Sequence, residues 1–155
     1  MIYLSHIGKP AIPDNVPTWM PSSGIEEGTD VTFTCTGNVG KPAGKFKWTK
    51  YRGSTPTVYN DATTTSVEMP GTCTFNCTSM LTIKLEAEDN NAVIRCEVEQ
   101  ELATSDMYTQ SQPYDLVVYC KFSVKYRTIK TYKCNKSFFI QHYHLIYKHD
   151  LIFIL

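Results

Sequence analysis

The stretch Cys35–Cys96 decides the fold. Its first cysteine lies in the run VTFTCT at residues 31–36, and its last lies in AVIRCEVE at residues 92–99. In the first run the apolar residues share the phase of Cys35 and the threonines take the other phase, as in a strand with one buried face. In the second run apolar residues share the phase of Cys96, while arginine and glutamates take the other. Both cysteines are therefore predicted to point into one core.

Trp48 lies in a third alternating run, KFKWTK at residues 45–50. The two aromatic residues of this run fall on one face and the lysines on the other. This phase places the indole over a disulfide between Cys35 and Cys96. A metal site would need further close ligands, and residues 17–120 contain no histidine, so the pattern favours a structural disulfide over a metal centre.

The length and composition predict one all-β domain. A chain of 155 residues suits a single domain. Eight glycines and eight prolines suit short strands and turns, and no long run shows the helical period. We expect seven or eight short strands between about Val16 and Tyr119, with Thr63–Met69 at a sheet edge and Leu81, Ile83 and Leu85 in a core strand. Residues 51–59 read as turn-rich, residues 100–112 as a polar loop, and residues 114–119 as the closing strand.

Charge and proline divide the chain into three segments. Residues 1–16, which overlap a stretch with four prolines at 9–24, are predicted as a linker or the remnant of a preceding domain. Residues 17–120 are predicted as one β-sandwich domain. Residues 1–120 carry eight Lys/Arg against fourteen Asp/Glu, whereas residues 121–155 carry seven against one. The basic, aromatic-rich segment 121–155 is interpreted as a disordered tail or as translated non-coding sequence.

Other interpretations of the tail are weaker. Basic and aromatic residues interleave over 121–136, a composition that also suits RNA or an anionic membrane surface. Three histidines, His142, His144 and His149, lack the carboxylates that would support a metal site. The most apolar part, 137–155, is too interrupted by polar residues to span a bilayer.

Six cysteines in a chain of this size point to an oxidising compartment. No secretory signal peptide is readable in the first residues. Both observations fit an internal piece of a longer secreted or membrane-attached protein, or an incomplete gene model. The predicted location is extracellular or at the cell surface, with any membrane attachment through parts missing from this chain.

Four runs carry a family resemblance: EGTDVTFTC at 27–35, Trp48, SMLTI at 79–83 and DNNAVIRCEV at 89–98. In this order they resemble an immunoglobulin C2-set domain of the kind found in nectins, nephrin and costimulatory ligands. Ile94 stands where many family members have the tyrosine of the tyrosine corner, which favours the C2-type subgroup over a variable-type domain.

The resemblance implies an immunoglobulin-like β-sandwich and an extracellular glycoprotein or receptor module of cell adhesion or cell-surface recognition. Its implied partner is a protein, another immunoglobulin-like domain bound homophilically or heterophilically, with no nucleic acid and no cofactor. A secreted soluble immune-recognition protein and a structural spacer are the alternatives. No enzyme is predicted, because residues 25–120 offer no histidine as a base, and Glu86, Glu88 and Asp89 read as a solvated turn.

Four cysteines and one asparagine leave open questions. The spacing of Cys73 and Cys77 permits a local disulfide, a free Cys77 or half of a zinc site whose other half is missing. The pairing of Cys120 and Cys134 is also open. Asn76-Cys77-Thr78 is an N-glycosylation pattern on a predicted surface turn, which a neighbouring disulfide would hinder; Asn135-Lys136-Ser137 is a second such pattern.

One charged face is the candidate binding surface. Because the strands of Trp48 and Cys96 are neighbours in this fold, five outward charged side chains should share a face: Lys45, Lys47, Arg95, Glu97 and Glu99. They form either cross-strand pairs that keep the face soluble or a docking surface for another immunoglobulin-like domain, with Tyr51, Tyr59 and Tyr108 as aromatic anchors.

Overall fold

The structure is a computed structural model that describes residues 7–122 and 130–133. The predictions for the tail histidines, Cys134, Asn135 and most of the segment 121–155 fall outside the described residues.

The described residues form eleven strands and one 3₁₀ turn at Ala87–Asp89. The strands are β1 (Thr18–Met20), β2 (Ile25–Glu26), β3 (Thr29–Gly40), β4 (Lys45–Arg52), β5 (Thr55–Tyr59), β6 (Thr63–Met69), β7 (Thr74–Leu85), β8 (Val93–Glu99), β9 (Tyr108–Gln110), β10 (Val118–Phe122) and β11 (Lys130–Lys133).

Two four-stranded sheets face each other across the core. The first has the order β1-β3-β7-β6 and the second the order β5-β4-β8-β9, both antiparallel throughout. A short third sheet joins β10 to β2 in parallel and to β11 in antiparallel pairing. The predicted all-β, immunoglobulin-like sandwich is confirmed, with β6 at a sheet edge and β7 as a core strand.

The disulfide between Cys35 and Cys96 joins β3 to β8 and thus one sheet to the other, with the two Cα atoms 6.5 Å apart. Trp48 is fully buried beside it, and its Nε1 donates a hydrogen bond of 2.9 Å to Ser79 Oγ on β7. The indole is therefore held by polar contact with the opposite sheet as well as by burial, which suits a buried Trp N–H. The predicted disulfide is confirmed.

The end of the domain differs from the expected single closing strand at residues 114–119. Tyr108–Gln110, expected in a polar loop, pairs with β8, and the chain returns to a strand only at Val118. Between them Tyr114 has a φ of 78° and Leu116 O accepts a hydrogen bond from Asn91 N. This turn breaks the extended chain, so the last strand is split into β9 and β10.

The described part of the predicted linker, residues 7–16, packs along β3. Gly8 and Lys41 exchange two backbone hydrogen bonds, and Ala11 N and Asp14 N donate to carbonyls of β3. Gly40 has a φ of 80°, and a Cβ at this position would lie 2.7 Å from the Gly8 carbonyl oxygen, so only glycine fits the close approach. The boundary at residue 17 stays a prediction.

Candidate functional site

The outward surface of the β5-β4-β8-β9 sheet, called here the charged face, brings together the five charged residues singled out from the sequence. Cross-strand register places Lys45 opposite Glu99 and Lys47 opposite Glu97. The lysine Nζ lies 3.1 Å from Glu99 Oε2 in the first pair and 3.9 Å from Glu97 Oε2 in the second. These pairs are partly exposed and contribute at most about 1 kcal/mol each to folding.

Arg95 is the centre of this face. Its guanidinium carbon lies 4.9 Å from the ring centroid of Tyr51 and 3.9 Å from that of Tyr108. Its Nε and Nη2 both donate to Gln110 Oε1, at 3.0 and 2.9 Å. The arginine is therefore held in one orientation by two rings and by two hydrogen bonds to one amide oxygen. Both of these tyrosines, which were predicted as anchors, lie on the charged face.

One exposed apolar residue, Val58, borders Arg95 and its two tyrosines. Thr49 is paired with Arg95 on one side and with Val58 of β5 on the other, and the Val58 side chain is 49% exposed. Gln110 and Val58 were not among the residues predicted for this face. The alternation of Tyr108 and Gln110 in the sequence YTQ could have predicted the outward side of Gln110. The residues around YTQ are polar, however, and read as a loop.

Beyond the Lys47–Glu97 pair the face ends in an open, shallow depression of about 290 Å³. Its lining is polar and includes Glu99, Gln100 and Thr104. Small-molecule sites are usually concave and mostly apolar, and this open, polar depression does not have that character.

Tyr59 does not belong to the charged face, and its predicted role as an anchor is wrong. It pairs with Trp48 in register and so points toward the core, where Lys50 Nζ lies 5.8 Å from its ring centroid. A run of turn-forming residues before Tyr59 concealed β5, and with it the phase of this side chain.

Asp89 is fully buried, so the expectation that it lies in a solvated turn is wrong. Its Oδ1 lies 2.8 Å from Lys50 Nζ and 2.5 Å from Arg52 Nε, and its Oδ2 accepts from Glu86 N at 2.9 Å. Lys50 shares the inward phase of Trp48 and is itself only 5% exposed, which requires a counter-charge at that depth. Asp89 supplies it.

The contacts within this cluster shift the pKa values of Asp89 and Arg52. Burial acts to raise the pKa of Asp89, but hydrogen bonds from Arg52, the Glu86 backbone and Lys50 outweigh it and hold the pKa below its usual value. The same hydrogen bond from Arg52 raises the pKa of the guanidinium. Asp89 is therefore ionised at neutral pH. The cluster lies on the core side of β4, away from the charged face, which gives it a structural character.

Cys73 and Cys77 are free thiols, so the local disulfide that their spacing permits is not formed. Cys77 is buried within β7, whereas Cys73 is exposed before that strand begins, with a φ of 53°. Three residues of extended strand already span roughly 10 Å, beyond the roughly 7 Å limit for disulfide-linked Cα atoms. Cys120 is buried and disulfide-bonded.

We expect the two free thiols to differ sharply in reactivity. Burial raises the pKa of Cys77 and also blocks access, so iodoacetamide should label Cys73 in the native protein and Cys77 only after unfolding. Peptide mass mapping of labelled protein checks this. Equal labelling of both residues under native conditions, or a peptide linking Cys73 to Cys77, would contradict the structure.

Asn76 lies inside β7, not on the predicted surface turn. Its side chain has the outward phase, opposite to that of buried Cys77, and is half-buried.

Two kinds of site are absent from the part of the chain that the structure describes. In residues 7–122 and 130–133, no three His, Cys, Asp or Glu side chains are grouped so that they could hold a metal ion. Nor does this part of the chain contain a helix of the length and apolarity needed to cross a bilayer.

Known proteins resemble this chain in sequence and fold. Cell adhesion molecule 2 of Xenopus tropicalis is 32% identical over 108 residues, which are 66% of this chain and 22% of that protein. The full ectodomain of mouse nectin-like molecule 4, with three immunoglobulin domains, is 17% identical with a TM-score of 0.50, over 80% of this chain and 45% of the other. Rst D1-D2 is 21% identical with a TM-score of 0.48, over 72% and 51%.

The chain thus spans about a fifth of its curated relative. A family model for the CD80-like C2-set immunoglobulin domain matches residues 12–107, more than half of the 155 residues. This range contains the disulfide, Trp48 and most of the charged face. The chain belongs to the CD80-like C2-set immunoglobulin domain family.

Proposed function

We propose that this chain is an extracellular binding module of a cell-adhesion or cell-surface recognition protein, and that its charged face binds another immunoglobulin-like domain. The observation that carries the proposal is Arg95 held between Tyr51 and Tyr108. Tyrosine and arginine are enriched among the residues that dominate protein–protein binding energy. A side chain already fixed in one orientation loses little entropy when a partner docks.

The charges around this centre favour a second copy of the same face as the partner. The lysines lie on β4 and the glutamates at the same height on β8. A twofold axis lying in the interface along these strands would set each lysine row opposite the glutamate row of the other copy. Such complementarity chooses the partner and its register more than it adds affinity. A related domain with the same charge order would fit equally well.

The same proposal places this chain outside the cell and makes it part of a larger protein. A disulfide between β3 and β8 persists in an oxidising, extracellular setting, and the relative by sequence is a cell adhesion molecule. Membrane attachment and further domains would come from parts outside this chain. We assign the module a binding role without a cofactor and without a catalytic step.

We expect Arg95→Ala and Tyr108→Ala to weaken binding by about 2 kcal/mol each, roughly thirty-fold in Kd, because both residues form the preorganised centre. Lys47→Glu should also weaken it, by placing like charges opposite each other. Sedimentation equilibrium measures self-association, and surface plasmon resonance with adhesion-type immunoglobulin ectodomains measures heterophilic binding.

The matched control lies on the opposite sheet, where Asp30 pairs in register with Lys84. Lys84→Glu reverses a charge there and should leave both readouts unchanged. If the charged-face variants lose self-association, the face binds homophilically. If they lose only the binding to another protein's ectodomain, the face binds heterophilically. Binding that survives all three charged-face variants would refute the role of this face, and binding to nothing would favour a structural spacer.

A further inference from the structure

The acceptor pattern Asn76-Cys77-Thr78 lies on the outward surface of the β1-β3-β7-β6 sheet, called here the threonine face. Asn76 and Thr78 have the outward phase of β7 and are half-buried, while Cys77 between them points into the core. Register places Asn76 between Asn38 of β3 and Val67 of β6. None of the described residues makes a side-chain hydrogen bond to the Asn76 carboxamide.

The state of Cys77 removes the obstacle expected from a neighbouring disulfide. A bridge through the middle residue of an acceptor pattern competes with modification of the asparagine, because it folds the segment before the transferring enzyme can bind it extended. Cys77 is a free thiol. The nascent segment is thus available in the extended form that an acceptor pattern needs.

The surroundings of Asn76 are uncharged and partly apolar. Apart from the Asp30–Lys84 row at one end, the outward-phase residues of β1, β3, β6 and β7 carry no charge. Four apolar residues are exposed there: Met20 at 71%, Val67 at 67%, Met80 at 43% and Met69 at 41%. An uncharged sheet surface with exposed apolar side chains invites association, so a cover is to be expected.

We propose that Asn76 carries an N-linked glycan that covers the threonine face and leaves the charged face as the docking surface. The donor is an oligosaccharide joined through pyrophosphate to a polyisoprenoid lipid. A bond forms between Asn76 Nδ2 and the anomeric carbon, the bond from that carbon to the pyrophosphate oxygen breaks, and the lipid pyrophosphate leaves as the amide loses a proton. The glycan then shields Val67 beside it.

The proposal rests on the secretory route of the proposed function, and the experiment supplies that route separately. The full chain is expressed behind an added signal peptide in eukaryotic cells, in an Asn135→Gln background that removes the second acceptor pattern. Intact mass is measured before and after digestion with peptide N-glycosidase. The background protein should lose mass on digestion, with conversion of Asn76 to aspartate in the mapped peptide.

Asn76→Gln and Thr78→Ala should abolish this mass loss. Thr78→Ser, which keeps the acceptor hydroxyl, and Asn38→Gln, an outward asparagine beside it without an acceptor pattern, should retain it. Transfer precedes folding, so protein from cell lysate gives the answer even where a variant is not secreted. The proposal is overturned if the background protein loses no mass on digestion, or if the Asn76→Gln variant still loses mass. Neither result bears on binding by the charged face.

The covering role has its own readout. Digestion of the folded glycoprotein should shift sedimentation toward associated species, and Val67→Lys should suppress this shift, since it places a charge on the uncovered face. Lys47→Glu on the opposite sheet should not suppress it. An unchanged sedimentation profile after complete digestion would show that the glycan does not cover an associating face.

Discussion

We expect the Cys35→Ala/Cys96→Ala double variant to lose about 4 kcal/mol of the free energy of unfolding. The disulfide joins residues separated by 61 positions, and in the chain-entropy model a cross-link over a loop of this length removes that much conformational freedom from the unfolded chain. The total free energy of unfolding of a typical domain is only about 5 to 15 kcal/mol. The variant should therefore be unfolded or marginally stable at physiological temperature.

Urea denaturation followed by the fluorescence of buried Trp48 measures this loss. Cys73→Ala is the matched control, because it removes an exposed free thiol and should change the free energy of unfolding by less than about 0.5 kcal/mol. If the double variant unfolds at the same urea concentration as the parent, the disulfide is not what stabilises the sandwich.

Asp89→Asn should destabilise the domain by about 3 to 5 kcal/mol, the cost of breaking a buried ion pair by removing one partner. Asp89 is fully buried, and Lys50, only 5% exposed, would be left as a buried charge without its counter-ion. Glu88→Gln, an exposed acid on the same 3₁₀ turn, is the control and should be nearly neutral. Equal denaturation midpoints for both variants would contradict the structural role of Asp89.

The pH dependence of this loss has a definite sign. Because the folded state lowers the pKa of Asp89 below its ordinary value of 3.8, the carboxylate's contribution is fully present above that pH. It is lost as pH falls through the still lower folded pKa. The difference in unfolding free energy between the parent and Asp89→Asn should therefore stay constant at neutral pH and shrink below about pH 4. A constant difference down to pH 2 would contradict this.

Strand phase explains which predictions succeed. The alternation around Cys35, Cys96 and Trp48 is enforced by a core that accepts only one face of each strand. The same alternation assigns Lys45, Lys47 and Arg95 to the outward side, where the structure has them. These features are local consequences of the two-residue period, so they can be read along one strand at a time.

The failures concern strands with weak alternation. Thr55–Tyr59 is a strand in the structure, although its residues read as a turn, because pairing with β4 supplies the hydrogen bonds that its own sequence does not demand. For this reason Tyr59 was predicted on the charged face, although its side chain points toward the core. Likewise the split between β9 and β10 depends on a turn at Tyr114, a residue with no strong turn preference.

By itself the sequence determined the class of fold, the disulfide, the core tryptophan and the side of each strongly alternating strand, because hydrophobic phase is a property of consecutive residues. The tertiary structure alone decided what those side chains meet. Lys50 has the inward phase of Trp48, yet only the packing of the 3₁₀ turn against β4 brings Asp89 to it. Arg95 has an outward phase, yet only the register of three strands stacks it between Tyr51 and Tyr108. Contacts between residues distant in sequence depend on register and loop path, which no local period encodes.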